Sequence, residues 1–196
     1  MKHISIEGMD GAGKTSVCQK LAEKLGYEFV EKPFHYLLDD AEITAPGEAR
    51  FETYQKLAHT VNQNPNRNFT SMFYALGSVY MYERFKNSCI VTDRHLASNY
   101  AWSGTEYNSD VYDLVLSKIG KPELTIILYA PQKIIEQRMR KRNQNDPNLA
   151  IAGKTEEIYS RMIDFCKKRD FNYSVIDTSD KTIDEIVSLI EKKLEA

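Results

Sequence analysis

The chain has 196 residues, 42% hydrophobic and 28% charged, which is the size of one domain with enough apolar material to build a core without staples. A formal net charge of -2 encodes no global attraction to nucleic acid or to an anionic membrane, so neither is expected as a partner. Cys18, Cys89 and Cys166 are scattered with no C-x-x-C pair, which excludes a disulfide framework and a structural zinc site and fits a reducing, cytoplasmic setting. No stretch approaches the roughly 18 apolar residues of a membrane span.

In chain order, residues 3–7 read as the first strand. Gly8-Met9-Asp10-Gly11-Ala12-Gly13-Lys14-Thr15 follows at once and fits G-x-x-x-x-G-K-[ST] at every fixed position. A strand before that motif and an amphipathic helix after it are the context in which backbone N–H groups surround phosphate oxygens. Lys14, expected as an exposed loop lysine, can reach the outer phosphates, and the Thr15 hydroxyl can ligate Mg²⁺. Val17, Leu21 and Leu25 then form a helical stripe closed by Gly26.

Residues 27–30 read as a second strand, ending in Glu31-Lys32-Pro33. Phe51, Tyr54, Leu57, Ala58 and Val61 mark a helix, and the polar run 62–68 reads as a loop before another helix carrying Phe69, Phe73 and Tyr74. The third strand, 88–92, leads into Asp93-Arg94-His95. A carboxylate there lies where ligands bind in open parallel sheets and can hold Mg²⁺, while Arg94 can grip a phosphate with its planar fork. Rings on the next segment, at Tyr100, Trp102 and Tyr107, are candidates for stacking a nucleobase.

The fourth strand, 124–129, is an almost unbroken apolar run, as a strand covered on both faces requires. A basic run follows (Arg138, Arg140, Lys141 and Arg142), then a polar stretch, 143–154, that reads as mobile. Ile158, Met162 and Phe165 mark a helix, 173–177 a fifth strand, and Ile183, Ile186, Val187, Ile190 and Leu194 a final helix. Strand alternating with helix throughout gives an α/β class. The expectation is a single 1–196 P-loop domain whose five-stranded parallel sheet runs in the order 2-3-1-4-5 between helices.

The opening Glu7-Gly8-Met9-Asp10-Gly11-Ala12-Gly13-Lys14-Thr15, the Asp93-Arg94 pair, the segment Ser98-Asn99-Tyr100-Ala101-Trp102-Ser103-Gly104 and Ile176-Asp177-Thr178-Ser179 together resemble the thymidylate kinases, with the related deoxynucleoside kinases sharing the architecture. The resemblance implies MgATP-dependent phosphoryl transfer to a nucleoside monophosphate, a pyrimidine deoxynucleotide such as dTMP, by a homodimer packed through helices. The alternative acceptor is the 5′-hydroxyl of a deoxynucleoside.

It implies ATP binding by Gly8, Asp10, Gly11, Ala12, Gly13, Lys14, Thr15 and Ser16, with Mg²⁺ on Thr15 and Asp93. It implies acceptor binding by Asp10, Lys32, Phe73, Arg94 and Tyr100. Catalysis falls to Lys14, Asp93, Arg94 and the arginines Arg138 and Arg142 of a lid spanning about 138–154. Two departures bear on the base. Leu76-Gly77 stands where thymidylate kinases carry Asp-Arg, and the glutamine that deoxynucleoside kinases place in that helix is missing. A third bears on the base-catalyst: Lys32 occupies the position of the deoxynucleoside kinases' glutamate, with Glu31 one residue earlier. A GTPase switch fits poorly, because Asn143-Gln144-Asn145-Asp146 lacks the guanine-reading lysine and no Asp-x-x-Gly closes the third strand.

Overall fold

The computed structural model describes residues 2–31, 33–40 and 50–195. Its strands are β1 (His3–Gly8), β2 (Glu28–Glu31), β3 (Ile90–Asp93), β4 (Leu124–Tyr129) and β5 (Tyr173–Asp177). Its helices are α1 (Lys14–Leu25), α2 (Phe34–Asp40), α3 (Arg50–Gln63), α4 (Arg67–Arg84), α5 (Leu96–Ser103), α6 (Ser109–Ile119), α7 (Gln132–Arg142), α8 (Thr155–Lys168) and α9 (Ile183–Leu194). All pairings are parallel and the order is β2-β3-β1-β4-β5, as expected.

The apolar runs end up where the two-faced burial of a parallel sheet needs them. Ile4, Ile6, Val91, Ile126, Ile127 and Leu128 are sealed between helices. The stripe Val17, Leu21 of α1 packs on one face; Ile158, Met162 and Phe165 of α8 share the same continuous core. Helix α1 ends at Gly26, whose φ of 66° lets its N–H turn back to the carbonyls of Ala22 and Glu23. Helix α9 opens on a capping box in which Thr182 and Glu185 satisfy each other's backbone N–H groups.

Several local bounds shift: the second strand is Glu28–Glu31 and not 27–30, and the 62–68 run narrows to residues 64–66 between α3 and α4. The third strand runs from Ile90 to Asp93, so Asp93 is its last residue and not part of the following loop. The 143–154 stretch is not an open loop: Pro147–Lys154 winds into a 3₁₀ helix, with the Asp146 side chain accepting from Asn148 N–H at its start. The Asp-Pro pair supplies the reason, a capping carboxylate followed by a residue whose fixed φ suits a first turn.

Candidate active site

The register of β1 against β3 and β4 sets Gly8 beside Leu128 and Ile6 beside Asp93, so the glycine loop and the Asp93-Arg94 pair emerge at one sheet edge. Gly8 is required by space: a Cβ there would sit 2.6 Å from the Leu128 carbonyl oxygen. Gly13, at φ 91°, takes the left-handed conformation from which α1 begins, and a Cβ there would meet no described atom within 4 Å. Between them, Ala12 N–H closes the turn onto the Met9 carbonyl at 3.2 Å. Ser16 is exposed on the first turn of α1.

Lys14 corrects the expectation of an exposed loop lysine. It is the first residue of α1 and only 6% exposed, its Nζ folded back to donate to Met9 O at 2.9 Å and lying 3.8 Å from Asp10. Burial, and then the positive Arg94, lower its pKa from the ordinary lysine value. The Thr15 hydroxyl donates to Asp93 Oδ2 at 2.5 Å, so two hard oxygen donors from different elements converge beside the loop. One carboxylate and one hydroxyl match what Mg²⁺ takes from a phosphotransferase site, the rest of its shell coming from water and phosphate. Among the described residues there is no cluster of three or more His, Cys, Asp or Glu that could hold an ion.

Arg94 is held from three sides. Its backbone takes φ 76°, its N–H donates to Ile6 O at 3.0 Å, and Nη1 donates to Gly8 O at 2.9 Å. Its Nη2 meets Asp10 Oδ1 at 2.5 Å. Arg94 is the main reason the Asp10 carboxyl drops to about 2, with Lys14 contributing and burial opposing. Beneath this pair, Glu7 is buried in the apolar strand and accepts from Ser5 Oγ at 2.6 Å and from Ser98 N–H at 3.1 Å. Ser98 Oγ donates to it as well. That carboxylate pins α5 to β1 directly below the loop.

The remaining expected residues scatter. Lys32 lies outside the described residues. Phe73 stacks on Phe34, ring centroids 4.4 Å apart, and Phe34 lies against Gly77, where a Cβ would stand 2.9 Å from its ring. The glycine in place of the family's arginine therefore makes room for a phenylalanine from α2. Tyr54 and Tyr74 both have pKa values raised by burial. The Tyr100 ring packs on Tyr112 and Phe165, with centroids at 5.2 and 5.1 Å.

Arg138 donates to Thr178 Oγ1 at 2.9 Å and to Thr178 O at 2.5 Å, tying α7 to the segment after β5. Arg142 pairs with Asp146, four residues on. Sequence reasoning passed over Asn148, whose Nδ2 donates to Asp10 Oδ2 at 3.0 Å, and Tyr159. The Tyr159 hydroxyl donates to Leu128 O at 2.8 Å and accepts from Ala130 N–H at 3.3 Å and from Met9 N–H at 3.5 Å, bracing the loop against β4. Neither stood out, because an Asn in a polar run and a Tyr on a helical stripe carry no spacing signal. Glu7 did carry one: a charge closing a buried strand.

A parallel sheet with a glycine-rich phosphate cradle, a buried lysine, a Thr–Asp pair for a hard cation and an arginine fixed opposite defines a P-loop phosphotransferase. The model of the thymidylate kinase family matches residues 6–190, and the chain belongs to that family. Curated relatives include a probable thymidylate kinase 1 of Saccharolobus solfataricus, 23% identical over 98% of this chain and 98% of its own. A putative adenylate kinase of Pyrococcus abyssi is 26% identical over 95% of this chain and 81% of its own. A solved deoxyadenosine kinase from M. mycoides, with dCMP and dCDP bound as products, superposes with a TM-score of 0.65 at 20% identity, covering 98% of both chains, and shares the fold. The protein is thus a nucleotide-binding kinase of the monophosphate kinase class, in a family whose phosphate donor is ATP. Among the described residues no helix is long and apolar enough to cross a membrane.

Proposed function

We propose that this kinase transfers the γ-phosphoryl group of ATP to a nucleoside monophosphate, a pyrimidine deoxynucleotide such as dTMP, giving the diphosphate and ADP. The observation that carries the reading is Arg94, a guanidinium anchored at 2.9 Å to the loop's own Gly8 carbonyl and facing Asp10 on the acceptor side. A monophosphate brings an already ionised nucleophilic oxygen, so the demand is for cations that hold two anions together and not for a strong base. In this reading the glycine loop and Lys14 bind and orient the donor phosphates, and Thr15 with Asp93 would hold Mg²⁺, which supplies charge neutralisation when bound. Arg94 orients the acceptor phosphate, Lys32 is proposed as a further cation for it, and Asp10 meets the acceptor sugar. Phe73 and Tyr100 remain proposed acceptor contacts. Arg138 and Arg142 belong to the lid that excludes water.

A second reading has one observation in its favour. Glu31 pairs in register with Asp93 at the end of β2, so a carboxylate stands at the acceptor side of the sheet, as a nucleoside 5′-hydroxyl would need. ADP release measured across monophosphates and nucleosides with MgATP, in the wild type and in Glu31→Gln, separates the two. The proposal expects turnover of a pyrimidine deoxynucleoside monophosphate and a mild effect of Glu31→Gln. Turnover confined to nucleosides, abolished by Glu31→Gln, would overturn it. We also propose a homodimer packed through helices, for which the exposed Phe69, Met72 and Leu76 on one side of α4 offer an apolar stripe. Sedimentation that gives a monomer at every concentration would refute it.

A further inference from the structure

We propose that Asn148 is a positioning residue that makes the Asp10–Arg94 pair depend on how the 3₁₀ segment Pro147–Lys154 is seated. The observation is a continuous polar chain across the mouth of the site. Arg142 grips Asp146; Asp146 Oδ1 accepts from Asn148 N–H at 2.9 Å; Asn148 Nδ2 donates to Asp10 Oδ2 at 3.0 Å; and Asp10 Oδ1 meets Arg94 Nη2 at 2.5 Å. Every link but one belongs to an element with its own reason to be rigid. Asp146 is 6% exposed and caps the 3₁₀ turn, and Arg94 is fixed by two backbone carbonyl and amide bonds to β1. The Asn148–Asp10 hydrogen bond joins the two halves.

The chemistry of Asp10 makes this link specific. A carboxylate has two oxygens, and here each has one side-chain donor, a guanidinium on Oδ1 and an amide on Oδ2, which together fix the plane of the carboxylate as well as its place. Without the amide, Asp10 keeps Arg94 and the more distant Lys14 on Oδ1 but loses the contact that fixes its plane, so its grip on Arg94 Nη2 loosens while Nη1 stays on Gly8 O. Asn148 touches neither phosphate in this account. It acts through Asp10 and Arg94, and so its loss falls on acceptor use and on the transfer step while leaving the glycine loop and Lys14 intact. An aspartate at 148 has the same shape and no donor, and it would put a second carboxylate against Asp10.

This inference rests on the kinase reading above, so the test has one arm that needs no activity. In the ligand-free protein, limited proteolysis of the 143–154 segment reads how firmly it is seated. Asn148→Ala and Asp10→Asn should each speed cleavage there about ten-fold, and the double variant should be no faster than either single one. Asn148→Asp should be cleaved fastest, and Asn148→Gln should recover part of the protection. The kinetic arm uses whichever acceptor the wild type turns over. Asn148→Ala should raise the acceptor KM and lower kcat, each about five- to ten-fold, with the ATP KM unchanged, and its effects should not add to those of Asp10→Asn. Additive effects in both arms, or an Asn148→Ala protein equal to wild type in cleavage and in acceptor KM, would overturn the proposal. A loss that falls on the ATP KM alone would also overturn it, since that marks a donor-side lid and no relay. A wild type that phosphorylates no acceptor at all would count against the kinase reading and leave the proteolysis arm to decide the contact.

Discussion

Lys14 carries a cost that its position explains. A side chain 6% exposed, with a pKa lowered chiefly by burial and further by Arg94, holds its charge against desolvation. Its replacement by methionine, of similar length, removes that charge and leaves the Met9 carbonyl still accepting from Ala12 N–H. Lys14→Met should therefore be more stable than wild type by about 1 kcal/mol, which for a chain of this size is a Tm rise of about 2–4 °C. Its turnover should fall by about 10²–10³, the range for losing one preorganised donor to transition-state charge. Calorimetry and the ADP-release assay read the two effects separately; a variant that loses stability and keeps its rate would contradict both halves. The motif made this lysine legible in the sequence, because glycines, lysine and threonine stand at fixed offsets. Its burial was not, since the Met9 carbonyl and Arg94 that surround it come from a turn and from the residue after β3, which is distant in sequence.

At the scale of elements, helix α5 shows how a distant residue supports the site. Its C-terminal carbonyls would end unsatisfied, as the last carbonyls of any helix do. Arg161 of α8 answers them, donating to Tyr100 O at 3.1 Å, Ala101 O at 2.8 Å and Gly104 O at 2.5 Å. Helix α5 begins two residues after Arg94, so this anchor sets the far end of the element whose near end aims the guanidinium. Arg161→Met keeps the packing stem and removes all three charge-assisted bonds. We expect a loss of about 2–3 kcal/mol, seen as a lower urea midpoint at unchanged slope. A midpoint within error of wild type would show that water replaces the guanidinium at no cost.

Elements of this kind were readable only in part. The strands 124–129 and 173–177 match the structure residue for residue, because the first is a continuous apolar run and the second lies between a helical stripe and a turn. The 3₁₀ segment was missed, since its polar composition resembles a loop and only the Asp146 cap and Pro147 hint otherwise. The acceptor side was the least legible. The Phe34–Phe73 stack joins residues 39 positions apart through a glycine that, in sequence, looked merely like a missing arginine.

For the whole molecule, pH should act through two sets of groups in separate windows. His3 is sealed in the sheet, with Nδ1 against the Tyr82 hydroxyl at 2.6 Å, Nε2 against Thr92 Oγ1 at 2.9 Å and the His95 ring edge-on at 4.8 Å. Burial, then the neighbouring His95, hold its pKa well below the ordinary 6.5. The unfolded chain takes up this proton near pH 6.5 and the folded chain refuses it, so the unfolded state binds more protons just below that value. Stability from His3 is thus full above pH 6.5 and falls as the pH drops, by up to about 1.4 kcal/mol per pH unit for one proton. Asp10 acts in the same sense in a lower window. Its folded value of about 2 lies below 3.8, so its contribution is full above about pH 4 and is lost progressively as the pH falls from there to about 2. Denaturant titrations between pH 6 and pH 4 therefore isolate the histidines. His3→Gln keeps an amide able to bridge Tyr82 and Thr92 but cannot take the proton, so its slope of stability against pH in that interval should be shallower than wild type by up to one proton's worth. Parallel slopes for the two proteins would mean that His3 titrates in the fold as it does in the unfolded chain, and that the sheet admits a charge at its buried edge.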